Sequence, residues 1–405
     1  MLNKPLGGYP AKQCPIRTHW DHSPFLLREE PTPQRQRLYS AGNLFEAEVF
    51  GSVLRALEPA TCLDLSRVDQ DLQAQTMDAM RDGVPVILSG MLDDDREGRT
   101  GKPDILVRVD RTDGTWGYLP IDVKHHGHFG KAPESKDQPP PPSAFGRCTT
   151  LAALAGLPRV DAWGEVEFPR HPRLRERAPG DRLDDLLQLA HYTVMLQNLG
   201  HHPGKDLRWG GIIGTSESDE SHAAGEFYVA WHDLTESKHR SFSGSRAHGK
   251  YKNRSAIDRY QHEFAFRKAV AAQAAVSTAP DVVSSFAELD SVFGIKPYEI
   301  AECADCPYAT RCRAAMGDHA SQKIVLGRLG VRTWRSLDLY GVRTVADLAR
   351  LDVPGFVKKA GAWRVEHPDT DTEHARMHID YKDIVAGDTT KGGLVDARRR
   401  AQLIV

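Results

Sequence analysis

The sequence contains no apolar run approaching the roughly 18 residues that a bilayer-spanning helix needs. Its first twenty residues hold proline, glycine and charges where a signal peptide would hold an apolar core. The expectation is a cytosolic chain that touches no membrane. Cysteine is scarce, six in 405 residues, which is too sparse for a disulfide scaffold. Neither sign of charge is in excess: 53 Lys and Arg against 55 Asp and Glu leave a net charge of -2. Whole-chain charge therefore gives no argument for a polyanionic partner, and any such argument must come from local clustering. What is present is the composition of a folded protein, 40% hydrophobic and 27% charged. At roughly 150 residues per domain, the length predicts two or three units.

Apolar spacing predicts a helix over residues 43–57, through Leu44, Ala47, Phe50, Leu54 and Leu57, and a second over 66–81 with Ser66 as its cap. Three strand-like segments follow at 84–92, 104–109 and 118–124. Asp113-Gly114 marks the turn between the last two, and the three read as a meander. A long irregular stretch comes next, whose four prolines at 139–142 cannot join a sheet ladder. Residues 181–198 carry the clearest helical pattern, with Asp181, Asp184 and Asp185 suited to the positive end of its dipole. Strands at 210–215 and 227–233 and a helix at 255–276 close this region.

Gly101-Lys-Pro-Asp104 opens one predicted strand, and Asp122-Val-Lys124 ends the next. Side chains alternate along a strand, so Asp122 and Lys124 share a face while Val123 points to the other layer. Pairing through the Asp113-Gly114 turn brings Asp104 beside Asp122, two carboxylates with a cation next to them. Such hard oxygen ligands suit Mg²⁺ or Mn²⁺. The metal would neutralise charge building on a phosphate and activate a bound water, with Lys124 orienting or deprotonating that water. A lysine acting as base needs a lowered pKa, which burial can supply.

These residues resemble the PD-(D/E)xK nucleases and, within them, the RecB-like branch. Pro103-Asp104 and Asp122-Val-Lys124 match that family's core motif. Glu46, four residues after Gly42 on the preceding helix, stands where many relatives place a further metal ligand, and Glu48 turns away from it. Gln188-Leu-Ala-His-Tyr192 matches the family's Gln-x-x-x-Tyr motif on the helix after the core strands, and its spacing puts Gln188 and Tyr192 on one face. The loop from 127 to about 180 is long for the family.

Cys303, Cys306 and Cys312 fall within ten positions, a spacing that suits metal better than pairing. A fourth ligand must come from elsewhere, and Cys14 leads. In AddB-type and CRISPR-associated RecB-like exonucleases, one cysteine before the core and three after it bind a 4Fe-4S cluster. The resemblance thus implies a cluster on Cys14, Cys303, Cys306 and Cys312 that staples a very long loop. Four thiolates hold zinc equally well by geometry, so a zinc site is the competing reading. Cys62 and Cys148 read as buried or loop thiols, and His125, His126 and His128 as loop histidines, with a metal role the other reading.

Between positions 238 and 268 stand nine Lys or Arg against two acidic residues, interleaved with Phe242, Tyr251 and Tyr260. Such a stretch can track phosphates and stack on unpaired bases. Arg170, Arg173, Arg175 and Arg177 form a second basic run, which reads equally as a solvated face. Beyond the cysteines, Gly330-Val-Arg-Thr and Gly341-Val-Arg-Thr repeat eleven residues apart. They predict short helices and tight turns, either a phosphate cradle or a small packing module. The tail from about 364 lacks periodicity and ends near Ala397-Arg-Arg-Arg-Ala401.

The expected architecture is α/β: a restriction-endonuclease-like core, a mixed sheet flanked by helices, over 1–320 with its iron-sulfur clamp. A helical, helix-hairpin-helix-like module over 321–405 follows it. The function that the resemblance implies is a metal-dependent DNA nuclease, an exonuclease on single-stranded DNA or DNA ends in repair or recombination, acting with a helicase or other recombination protein. The alternatives are a non-catalytic iron-sulfur DNA-binding module serving a helicase and a zinc-ribbon nucleic-acid-binding protein.

Overall fold

The structure is a computed structural model that describes residues 4–131, 148–160, 163, 177–179, 182–215, 227–242, 251–327, 334, 337–338, 340–356 and 393–405. Expectations for the prolines at 139–142, Asp181, Arg170, Arg173, Arg175, the tetrad at Gly330 and most of the 364–405 tail lie outside these residues.

The main helices are α1 (Pro15–His22), α2 (Pro33–Ala56), α3 (Leu72–Arg81), α4 (Leu183–Asn198), α5 (Ala256–Val276), α6 (Val282–Phe293) and α7 (Ala309–Met316). Three more, α8 (Lys323–Leu326), α9 (Val345–Ala349) and α10 (Leu394–Ile404), follow. The strands that matter here are β1 (Cys62–Asp64), β2 (Val86–Leu88), β3 (Leu92–Asp94), β4 (Arg99–Gly101), β5 (Ile105–Asp110) and β6 (Trp116–Gly127). They continue with β7 (Phe129–Lys131), β8 (Cys148–Thr150), β9 (Arg177–Pro179), β10 (Trp209–Thr215) and β11 (Tyr228–Asp233).

Backbone contacts divide the chain into two compact units. Unit 1 holds residues 1–13, 31–241 and 253–272, and unit 2 holds 14–30, 242–252 and 273–405. Unit 1 is built on a mixed seven-stranded sheet in the order β1-β2-β5-β6-β10-β11-β8, flanked by helices. The antiparallel run β2-β5-β6 is the expected meander, and the β5–β6 register puts Ile105 opposite Ile121 and Asp110 opposite Trp116. Its turn works because Gly114 adopts φ +82°, a conformation costly for a residue with a Cβ.

Strand alternation sorts the core into two faces. Ile105, Val107 and Val109 with Leu119 and Ile121 pack against Phe45, Val49, Phe50 and Val53 of α2. Leu106 and Tyr118 point the other way, onto Met80 of α3 and Met195 and Leu196 of α4. Burying each such aliphatic side chain stabilises by about 1.5–3 kcal/mol, so register on this sheet is strongly fixed.

Several local expectations need correction. α2 begins ten residues before position 43, because Thr32 accepts from the Arg35 amide and Pro33 sits at the first helical position. α3 starts at Leu72, not Ser66: the Ser66 amide donates to Asp64 Oδ1 in a turn, leaving no cap there. The strand at 84–92 breaks at Ser89, whose φ is +60°, and its end joins the separate β3–β4 hairpin. The irregular stretch after 127 contains β8, an edge strand paired with β11, and Leu151, Leu154 and Trp163 enter the core from it.

Unit 2 has its own apolar core. Val325, Leu326, Trp334, Leu337, Val345, Leu348, Leu394, Ala397 and Ala401 form one buried cluster in it. The second tetrad behaves as a helix entry: Gly341 takes φ +82°, and Thr344 caps α9 reciprocally with Asp347. Elsewhere in unit 2, Trp20 of α1 stacks edge-on against Tyr308 at 5.3 Å and donates to Ser285 Oγ at 2.7 Å. The stretch before position 43, for which no element was expected, thus contains a further helix, α1.

Candidate functional site

The site in unit 1 follows from strand pairing. Asp104 stands just before β5, and its Oδ2 accepts the Val123 amide of β6 at 2.6 Å, which holds it beside Asp122. Lys124 forms an ion pair with Asp122 Oδ2. The two side chains therefore share a face, while Val123 packs into the α2 layer. Glu46, on α2, lines the same cleft as Asp104, Asp122, Lys124, Gln188 and Tyr192, and Glu48 is exposed outside it. The cleft holds about 1060 Å³ of empty space, counting its open mouth.

A row of polar pairs joins β6 to α4. Asp122, Lys124 and His126 alternate on one face of the strand, and Asp185, Gln188 and Tyr192 recur on one face of the helix. His126 Nε2 lies 3.1 Å from Asp185, and Lys124 Nζ donates to Gln188 Oε1 at 3.0 Å. Gln188 Nε2 in turn donates to the Tyr192 hydroxyl at 2.9 Å, and that hydroxyl donates to the Lys102 carbonyl at 3.2 Å. Gln188 and Tyr192 are both 3% exposed, so neither is a solvated helix residue. Gly101 is required for this approach, since a Cβ there would stand 2.7 Å from the Tyr192 ring. One residue along the helix, His191 bridges the Tyr260 hydroxyl at 2.8 Å and the Thr100 carbonyl at 2.9 Å. It thereby anchors the segment that leads into Asp104.

Electrostatics show a crowded carboxylate set. Loss of water and then the charges of Asp122 and Glu46 push the Asp104 carboxyl well above the usual range. Glu46 is raised by burial and by Asp122, against the pull of Lys102 and Lys124. Asp122 Oδ2 is buried against the Lys124 ammonium. Burial disfavours charge on Lys124, but Asp122, Tyr9 and Asp104 outweigh it and hold the ammonium above its ordinary pKa. The lowered pKa expected of a lysine base is therefore not what this side-chain arrangement gives.

Two residues from the amino terminus were not among the expected site residues. Tyr9 lines the cleft, and Lys12 Nζ donates to the same Gln188 Oε1 at 2.9 Å. Burial, then the charge of Lys124, lowers the Lys12 pKa to about 8. This segment runs close against α4, where a Cβ on Gly8 would meet Gln188 at 3.2 Å. Tyr39, on α2, also lines the cleft, and it and Tyr9 are about half exposed.

The four expected cluster cysteines lie in unit 2. Cys14 stands at the position just before α1, and its amide donates to Glu302 at 2.9 Å, next to Cys303. Cys14, Cys303, Cys306 and Cys312 line one cavity together with Ile16, Trp20, Tyr298 and Met316. Burial raises all four thiols, Cys14 and Cys312 to about 12. As they stand, no three His, Cys, Asp or Glu side chains among the described residues are close enough together to hold a metal ion. Cys62 and Cys148 sit apart, as half-buried thiols at the starts of β1 and β8.

Other expectations change. His125 and His126 belong to β6, and His128 is buried with its Nε2 2.8 Å from that of His232, so His125 alone of the three keeps the expected exposure, on a strand and not a loop. Tyr260 is buried and accepts from Arg99 at 3.0 Å, which removes it from the proposed stacking rings. In the same basic stretch, Arg259 and Arg267 pair with Glu263, and Lys268 pairs with Glu97. Residues 243–250 and the side chains of Phe242 and Tyr251 lie outside what is described, as does that of Arg177.

Comparison with protein-family models, with curated proteins and with solved structures gave no match to this chain.

Proposed function

We propose that unit 1 is a metal-dependent nuclease of RecB-like type, with a restriction-endonuclease-like core, that hydrolyses phosphodiester bonds in DNA. The observation that carries this reading is the convergence of Asp104, Asp122 and Lys124 from adjacent strand ends, with Glu46 in the same cleft. Three carboxylates line this one cleft, with Asp104 raised by burial, Asp122 and Glu46, and Glu46 by burial and Asp122, a donor set suited to a hard divalent cation. Glu46, Asp104 and Asp122 would hold Mg²⁺ or Mn²⁺, which supplies charge neutralisation at the phosphate and an activated water. Lys124 orients that water and opposes charge developing on phosphate oxygens. Gln188 fixes the Lys124 ammonium, and Tyr192 fixes Gln188 and the Lys102 carbonyl. The exposed rings of Tyr9 and Tyr39 at the cleft favour an unpaired strand, whose bases they can stack.

The thiol cavity of unit 2 supports the reading of a 4Fe-4S cluster on Cys14, Cys303, Cys306 and Cys312, because four sulfurs line one cavity with Ile16, Trp20 and Met316, beside Glu299 and Glu302. Zinc uses the same ligands, and a brown anaerobic preparation with visible absorption separates the two. The helical C-terminal part is proposed as a helix-hairpin-helix-like module, and a helicase or other recombination protein as the partner. The nuclease test is cleavage of labelled single-stranded DNA, duplex DNA and RNA in Mn²⁺. Cleavage that disappears in Asp122→Ala and Lys124→Ala supports the enzyme, and tight binding without cleavage in the wild type supports a non-catalytic module instead.

A further inference from the structure

Two ammonium groups donate to one neutral acceptor in the cleft: Lys12 Nζ at 2.9 Å and Lys124 Nζ at 3.0 Å meet Gln188 Oε1. Lys124 is compensated by Asp122. Lys12 has no such pair: among the described residues no carboxylate oxygen lies within 4.0 Å of its ammonium, and Asp122, Asp185 and Asp184 act on it only from farther off. The fold nevertheless holds it in place. Its amide donates to the Tyr9 carbonyl at 3.0 Å, and its ammonium sits 4.3 Å from the centre of the Tyr9 ring. The next carbonyl, of Gln13, accepts from Arg267 Nε and Nη2 at 3.1 and 2.7 Å. Two cations on one acceptor repel each other, and an anion entering beside them offsets that repulsion. An amide oxygen carries no net charge to do so.

We propose that Lys12 is a substrate-binding residue of this cleft, donating to a phosphate oxygen of the nucleic-acid strand next to the phosphate under attack. The inference rests on the nuclease reading and adds to it a residue outside the expected motifs. A phosphate is the matching anion because a single point-like ammonium can donate to any of its non-bridging oxygens, and because neighbouring phosphates are always present on a strand. The role is binding and not chemistry, since the polar partner of Lys12 is Gln188 and neither Asp104 nor Asp122.

The test compares wild type, Lys12→Ala and Lys12→Arg. Binding of fluorescein-labelled single-stranded DNA in Ca²⁺ is read by anisotropy across roughly 50 to 300 mM salt, where each lost phosphate contact on a single strand lowers the log–log slope by about 0.7. Lys12→Ala is expected to weaken binding about tenfold and to reduce the slope by that one contact, with Lys12→Arg restoring both. In Mn²⁺, Lys12→Ala should raise KM while kcat stays within about threefold. An unchanged affinity and slope in Lys12→Ala overturns the proposal. So does a variant whose only defect is a lower melting temperature, which marks Lys12 as a structural brace. A wild type that neither binds nor cleaves any strand brings down the nuclease reading itself, whereas a cleaving wild type matched by Lys12→Ala brings down only this inference.

Discussion

The carboxylate cleft of unit 1 and the thiol cavity of unit 2 present ionisable groups in opposite ways. In the cleft, Asp104, Asp122 and Lys124 come from two paired strands, and sheet register alone brings them together. Charge there is already partly balanced, by Lys124 on Asp122. In the cavity, Cys14 comes from far along the chain to join three clustered cysteines, and burial raises all four thiols. The difference teaches that the first site is held by the sheet whether or not a metal binds. The second would depend on its occupant under the proposed reading, since thiolates are the ligand form and metal loading would have to release their protons.

The largest expected effect separates the two regions by activity. Asp122→Asn should reduce cleavage by at least about 10²–10³-fold, the usual cost of removing one electrostatic element of such a site, without changing the colour of the protein. Cys312→Ala should do the converse, abolishing colour and destabilising unit 2. Opening a cross-linked loop of roughly 300 residues costs about 6 kcal/mol in chain-entropy terms, on the order of 10–20 °C in melting temperature, readable by differential scanning fluorimetry. A Cys312→Ala protein that keeps both its colour and its melting temperature breaks the comparison.

Next in size is an acid response belonging to unit 1. Burial lowers His191 and His202 from 6.5 to about 4. The unfolded chain takes up those protons near 6.5 while the folded chain refuses them. Their stabilising contribution is therefore intact above about pH 6.5 and is lost as pH falls from there to about 4, by about 1.4 kcal/mol per pH unit for each histidine. Urea midpoints of wild type and His191→Gln across that window check it, the variant showing the shallower loss.

The smallest effect is Tyr192→Phe. It removes the hydroxyl that accepts from Gln188 and donates to the Lys102 carbonyl, while keeping the ring against Gly101. A stability cost of about 0.5–1.5 kcal/mol is expected, with a several-fold fall in cleavage as Gln188 loosens its hold on Lys124. Equal activity in the two proteins would place Tyr192 in packing alone.

What was legible in the sequence was whatever depends on short-range periodicity. Alternation of two put Asp122 and Lys124 on one face, and the turn at Gly114 fixed their partner strand. A spacing of four put Gln188 and Tyr192 on one side of α4. Contacts that arise only when distant segments meet were not legible: no local pattern marks Lys12 as a neighbour of Gln188, or His126 as a neighbour of Asp185. Tyr260 was misread for the same reason, since a ring in a basic stretch looks like a stacking surface until His191 and Arg99 are seen to bury it. The Ser66 cap failed because a carboxylate two residues earlier, Asp64, engages its amide.

The most direct test of the account is Mn²⁺ binding to the purified protein, followed by titration calorimetry. Wild type and Cys312→Ala should show one tight site of equal affinity, and Glu46→Ala, Asp104→Ala and Asp122→Ala should each weaken it, the two aspartates by at least about 100-fold. Unchanged Mn²⁺ affinity in Asp104→Ala and Asp122→Ala would contradict it.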